Sequence, residues 1–291
     1  MKPIDADRPA LLARWRALLA DLPHRPYARD GADMLGVSEG ALTDARTLSE
    51  EAQRLREPEG GFAALLARLP ALGEAMGLTR NAVCVVERTG RYGETTVEGA
   101  VARTHGDVAL VADLSRWAAA FALGETSRHG FHRSIQIFDA AGEAVHKIYM
   151  TERTDPAAFD ALIADLADPD APPFPFAPFA PPAPPPAAPS GGEALRAVLK
   201  RAAAEGAPVS ITVANPGCAQ TVTDRIAMVE VTGTWLNILD PAVNLHLRMD
   251  HLAGVRLPEN ETACVEALDA GGSVVCRVDC PPDWRAFLDS L

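Results

Sequence analysis

The 291-residue chain has no apolar run near the roughly 20 residues that a membrane-spanning helix needs. Its first residues, Met1 to Arg8, carry charges and no apolar stretch of signal-peptide type. Both absences point to a cytoplasmic protein. Basic charge is in deficit: 27 Lys and Arg face 39 Asp and Glu, a net of −12. That balance disfavours a phosphate-binding surface and argues for no nucleic-acid partner. Cysteines are few and odd in number, and Cys276-x-x-x-Cys280 has no second Cys/His pair at zinc spacing. Together with Cys84, Cys218 and Cys264 they read as small buried hydrophobes in a reducing compartment. No Gly-rich phosphate loop, Ser–His–Asp arrangement or His-x-x-x-His pair is present.

What the chain does have is a repeat. Residues 134–148 return as residues 264–278, with Asp139 matching Asp269, Gly142 matching Gly272 and Lys147 matching Arg277, all at a shift of 130. Both copies read strand, Asp-x-x-Gly turn, strand, then a helix. Asn81-x-x-Cys84 matches Asn215-x-x-Cys218 at a shift of 134, and residues 109–112 match 244–247 at a shift of 135. Two homologous halves are expected, with a ligand held between them. Between the copies, residues 169–189 hold eleven prolines with Phe174, Phe176 and Phe179 interleaved. Such a run favours extended polyproline II and reads as a spacer whose phenylalanines touch one half, rather than as an SH3-type ligand.

Along the first half, Leu11, Leu12, Trp15, Leu18 and Leu19 mark a helix. Residues 28–42 read helix, Gly turn, helix with Ser38 as N-cap, an imitation of a helix-turn-helix. The second helix offers Arg46 alone against Glu39, Asp44, Glu50 and Glu51, a poor major-groove reader. A helix is expected over 62–76, strands from Asn81 with a turn at Gly90, a hairpin over 134–149, and a helix over 156–166. The second half opens with a helix over 193–205 and continues in strands.

Three phrases then carry a resemblance. They are Leu78-Thr79-Arg80-Asn81 with Val86-Glu87-Arg88-Thr89-Gly90-Arg91-Tyr92; Phe138-Asp139-Ala140-Ala141-Gly142-Glu143-Ala144-Val145-His146-Lys147-Ile148-Tyr149; and Asn237-Ile238-Leu239-Asp240-Pro241-Ala242-Val243-Asn244-Leu245-His246-Leu247-Arg248. The chain resembles the cytoplasmic heme-utilisation or hemin-degrading proteins of HemS/HmuS/ChuS type. The resemblance implies an α+β fold of two homologous halves, each a large antiparallel β-sheet with packed helices. The boundaries expected are 1–167 for the first half, 168–192 for the proline-rich linker and 193–291 for a shortened second half. It also implies heme in a cleft between the halves, and a role as heme carrier or hemin-degrading factor that exchanges heme with an importer or a heme oxygenase.

The same resemblance implies ligands that this chain lacks. The family's axial histidine belongs to the helical segment opening the second half, and residues 152–245 here contain no histidine. Val111 and Pro216 stand where family arginines are expected, and Cys280-Pro281-Pro282 replaces a terminal Tyr and Arg. A replacement donor must come from elsewhere, or the chain keeps the scaffold and acts through protein contacts with a mobile linker. His246 and Arg248 alternate with Leu245 and Leu247, so both project from one sheet face and can present an iron donor and a propionate-binding cation. Arg128, His129, His132 and Arg133 flank Phe131 in a basic loop, a second candidate for heme or metal. His146 reads as a packed strand residue. Loss of the second half's opening helices is expected to expose apolar surface and favour a homodimer.

Overall fold

A computed structural model describes residues 7–127, 130–181, 184–259 and 263–291. The first half contains α1 (Arg8–Asp21), α2 (Ala28–Leu35), α3 (Glu39–Arg46), β1 (Ala52–Leu55), α4 (Gly61–Arg68), β2 (Gly73–Arg80), β3 (Cys84–Glu98), β4 (Val101–Gly106), β5 (Ala109–Asp113), β6 (Ala119–Ser127), β7 (Gly130–Phe138), β8 (Ala144–Thr154) and α5 (Pro156–Leu166). The second half contains α6 (Gly192–Glu205), β9 (Pro208–Asn215), β10 (Cys218–Arg225), β11 (Val229–Thr232), β12 (Trp235–Leu239), β13 (Val243–Arg248), β14 (Gly254–Arg256), β15 (Cys264–Leu268), β16 (Val274–Asp279) and α7 (Arg285–Leu288). The fold is α+β with a large antiparallel sheet system and packed helices.

The strands form two sheets joined through the long β3. The first runs β1-β6-β7-β8-β2-β3-β13-β12-β11, the second β3-β4-β5-β10-β9-β16-β15-β14. Each half thus lends three strand segments to the other half's sheet: β13-β12-β11 extend the first, and β5-β4-β3 extend the second. The cores follow the same exchange. Val83, Cys84 and Val86 pack in the core of α6 and the second-half strands, and Cys218 packs in the core of α4, α5 and the first-half strands.

The repeat in sequence is a repeat in structure. Asp139 Oδ1 accepts from the amides of Ala141 and Glu143 at 2.9 Å, and Asp269 Oδ1 from those of Gly271 and Ser273 at 2.9 Å. Gly142 and Gly272 take φ of 81° and 79°, a left-handed conformation that glycine adopts without a Cβ penalty. Asn81 donates to the carbonyls of Ala214 and Val275, while Asn215 donates to those of Arg80 and Val145. Each asparagine therefore ties its own half to the equivalent two positions of the other.

Several local expectations change. The helix expected over 62–76 stops at Arg68, because Pro70 lacks an N–H and Gly73 turns the chain at φ 72°. A strand accordingly starts at Gly73, ahead of the one expected from Asn81, and β1 at Ala52–Leu55 precedes both. No turn occurs at Gly90: β3 runs through it, and Asp107 packs against the missing side chain, 2.3 Å from where a Cβ would stand. Residues 28–46 do form helix, left-handed Gly36, helix, with Ser38 capping Ala41 at 3.2 Å. All eight residues of α3 are buried, so this helix has no free face for a groove.

The proline tract is anchored at both ends. Phe174 and Phe176 pack beside Phe121 and Phe138, and the Phe174 amide reaches Asp44 at 3.2 Å. At the far end Ser190 donates its amide to Leu252 and its hydroxyl to Ala253.

Candidate functional site

The two outer faces, opposite the cores, are where a ligand can lie. On the first sheet, pairing aligns Arg80, Val85, His246, Asn237 and Glu230 in one row across β2, β3, β13, β12 and β11. The neighbouring row runs Lys147, Leu78, Glu87, Asn244, and the next runs Tyr149, Met76, Thr89. Alternation puts Leu245 and Leu247 into the core and turns His246 outward, half-buried.

The chemistry of His246 is set by a neighbour. Its Nδ1 lies 2.8 Å from Asn237 Oδ1, and Asn237 Nδ2 donates to the Trp235 carbonyl at 3.2 Å. Burial lowers the pKa of His246, favouring the uncharged ring. Val85 stands beside it on β3, and Leu78 and Met76 on β2 share this outer face, all three half-buried. Arg248 stacks over Trp235 at 5.4 Å and pairs with Asp250 at 2.7 Å. From α2, Asp30 acts electrostatically on Arg248, and Arg80 acts on Asp33.

Part of this face is covered by α3. Glu39, fully buried, binds Lys147 Nζ at 2.6 Å and also pairs with Arg80. Burial alone would raise its carboxyl, but Arg80 and Lys147 outweigh it and hold the group at about 2. Glu87 has no such partner; burial raises its pKa. Tyr149 is likewise raised, first by burial and then by Glu125, Glu39 and Glu87.

The second candidate cluster is described only in part. Arg128 and His129 lie outside the described residues. His132 and Arg133 belong to β7 rather than to a loop, and successive strand residues face opposite ways. Arg133 turns to the core side, where it pairs with Asp160 at 2.5 Å and lies over Phe159 at 5.0 Å. His132 stands opposite Glu125, with β8, β2 and β3 between it and the strand of His246. His146 is fully buried between Thr79 and Tyr92, each at 2.8 Å, and burial pushes it down to about 3. It holds the core and faces no ligand. A cavity of about 300 Å³ under the proline tract is lined by Arg54, Phe62 and Phe174 among others, with no His, Tyr, Cys or Met donor. Among the described residues no group of three or more His, Cys, Asp or Glu side chains forms a metal cage.

On the second sheet the equivalent row is Ala214, Ala219, Val111, Arg103, Thr96. Val111 thus occupies the position that His246 holds on the first. Thr212 bonds Thr221 at 2.8 Å, Ser210 bonds Thr223 at 2.7 Å, and Arg277 pairs with Asp279 at 2.6 Å. This face mixes exposed Val111 with hydroxyls and ion pairs.

The HemS family model, described as the haemin-degrading HemS.ChuX domain, matches residues 36–166 and 184–286. The chain belongs to the HemS/ChuX family. The hemin transport protein HemS of Yersinia enterocolitica is 44% identical over 147 residues, half of this chain, and HmuS of Yersinia pestis 43% over 140. These matches span 41% and 39% of those relatives' own lengths. The apo structure of PhuS, a heme-binding protein from Pseudomonas aeruginosa, superposes with a TM-score of 0.83 at 29% identity, covering 98% of this chain and 99% of PhuS. The holo form gives 0.82 at 30%, with the same coverage. ChuS of Escherichia coli O157:H7, at 23% identity and a TM-score of 0.81, shares the fold.

Against this HemS-type frame, the positions where family arginines were expected, Val111 and Pro216, lie on β5 and in the β9–β10 turn, both on the second sheet. Strand alternation puts His246 on the outer face, but alternation within one strand does not bring it to Asn237. Its signal was there: Asn237 stands two residues after Trp235 on a strand that must pair with β13.

Proposed function

We propose that this chain binds heme on the outer face of the first sheet and serves heme utilisation in the cytoplasm as a carrier or hemin-degrading factor. One observation carries the reading: the imidazole of His246 faces outward on a sheet face with half-buried apolar residues and arginines. Iron in heme takes an imidazole nitrogen, the porphyrin takes apolar contact, and the propionates take cations. His246 would supply the donor, Met76, Leu78 and Val85 the contact, and Arg80 and Arg248 the charge. Family membership and the likeness to PhuS, a heme-binding protein, support the same ligand. No helix among the described residues is long and apolar enough to cross a membrane. A heme importer and a heme oxygenase are the exchange partners that this role implies.

The bound heme supplies redox chemistry at its iron; the chain's own residues bind it, orient it and limit water. A hemin titration of the purified protein tests the reading. A saturable one-to-one complex with a shifted Soret band is expected, and a featureless, non-saturating response would overturn it. Adding a reductant in air to that complex separates the two roles: bilin absorption marks degradation, and a persistent Soret band marks a carrier.

A further inference from the structure

The donor strength of a histidine depends on which nitrogen holds the proton, and that is decided by what the other nitrogen meets. On β12, Asn237 stands directly opposite His246 in the strand register. Its amide group has one arrangement that satisfies both neighbours. With Nδ2 toward the Trp235 carbonyl, at 3.2 Å, Oδ1 faces His246 Nδ1 at 2.8 Å. The flipped amide would set Oδ1 against a carbonyl oxygen, two acceptors facing each other, and lose that bond. Asn237 Oδ1 can only accept, so His246 Nδ1 must carry the proton and donate it. The lone pair is then on Nε2, which has no hydrogen-bond partner among the described residues and belongs to the half-buried, outward part of the ring.

We infer that Asn237 is a positioning residue: it fixes His246 as the Nδ1–H tautomer and keeps Nε2 as the open donor for heme iron. The inference rests on the heme seat proposed above. It goes further by assigning a second residue whose role is to act through the first. On the second sheet the matching position is Arg103, opposite Val111, so the acceptor and the imidazole are absent there together.

The test begins on the ligand-free protein. Long-range proton–nitrogen spectra of the chain labelled with 15N-histidine, assigned by His246→Ala, should show His246 protonated at Nδ1. Asn237→Leu should shift the ring toward the Nε2–H form, and Asn237→Asp, which keeps an acceptor, should retain Nδ1–H. Hemin titrations follow on the same proteins. Asn237→Leu should bind about 10–100-fold more weakly, the usual effect of removing a partner behind a metal ligand. Asn237→Asp should bind at least as tightly as the parent, with an altered Soret position from a stronger donor. An Nε2–H signal in the parent protein would overturn the inference without any variant. So would hemin binding by Asn237→Leu with unchanged Kd and spectrum while His246→Ala loses it. If His246→Ala itself binds hemin as the parent does, the seat is wrong, and that result is separate from either of the others.

Discussion

The two outer faces of this molecule share one geometry and differ in nearly everything the geometry displays. Arg80, Val85, His246 and Asn237 on the first sheet correspond to Ala214, Ala219, Val111 and Arg103 on the second. Met76 and Leu78 correspond to Ser210 and Thr212, and Tyr149 to Asp279. The first face lies partly under α3, and it carries apolar and titratable side chains that are at least half-buried. On the second, Val111 is exposed beside hydroxyls and ion pairs that water tolerates. Cover decides composition: apolar groups stabilise only where solvent is excluded. A duplicated scaffold therefore need not hold a duplicated site.

The largest expected contrast is between buried and exposed charge. Glu39→Gln leaves Lys147 and Arg80 without their counter-charge under α3, and should cost about 3–5 kcal/mol in urea unfolding. On the other face Arg256, whose side chain is 55% exposed, pairs with Glu266; Arg256→Ala should cost under about 1 kcal/mol. Equal costs would mean that the two faces are not differently solvated.

The paired asparagines sharpen the comparison from the side of symmetry. Asn81→Ala and Asn215→Ala each remove two bonds to the opposite half, and each should cost about 2–3 kcal/mol. The two values should agree within about 0.5 kcal/mol, a spread typical of independent sites. A large difference would show that the halves meet unequally.

Acid sensitivity is a smaller effect per step and belongs to the first half. His146 stays neutral in the fold down to about 3, whereas an unfolded histidine binds a proton near 6.5. The unfolded chain binds more protons between those values, so stability falls as pH drops from 6.5 toward 3, by up to about 1.4 kcal/mol per pH unit. Glu39 and Glu51, each held at about 2, add a second limb: their stabilisation is full above 4.5 and lost as pH falls toward 2. Unfolding curves at pH 7.5, 6.0, 5.0 and 4.0 check this. His146→Gln should flatten the limb between 6.5 and 4.5, and an unchanged slope would reject the assignment.

Much of this was legible before any coordinates. The Asp-x-x-Gly hairpins and the Asn-x-x-Cys anchors repeat at shifts of 130 and 134, and both recur as matched hydrogen-bond sets. Alternation in β13 gave the outward face of His246. What the sequence pattern hid was pairing between distant strands. Nothing in residues 81–98 signals that β3 joins β13 at one end and β4 at the other. Strand exchange between halves is long-range information, and so is the partner of His246. In the basic segment around Phe131, charge density carries no record of which face each residue takes; strand geometry sends Arg133 to the core side. The proline tract also hid its anchoring, since Phe174 finds Arg54 only in three dimensions, at 4.7 Å.

The most direct test is a hemin titration of three proteins side by side: the parent chain, His246→Ala on the first face, and Thr212→Ala with Thr221→Ala on the second. The account predicts that His246→Ala loses the sharp Soret complex while the double threonine variant binds as the parent does. Loss of binding in the threonine variant, with His246→Ala unaffected, would put the ligand on the other face and contradict it.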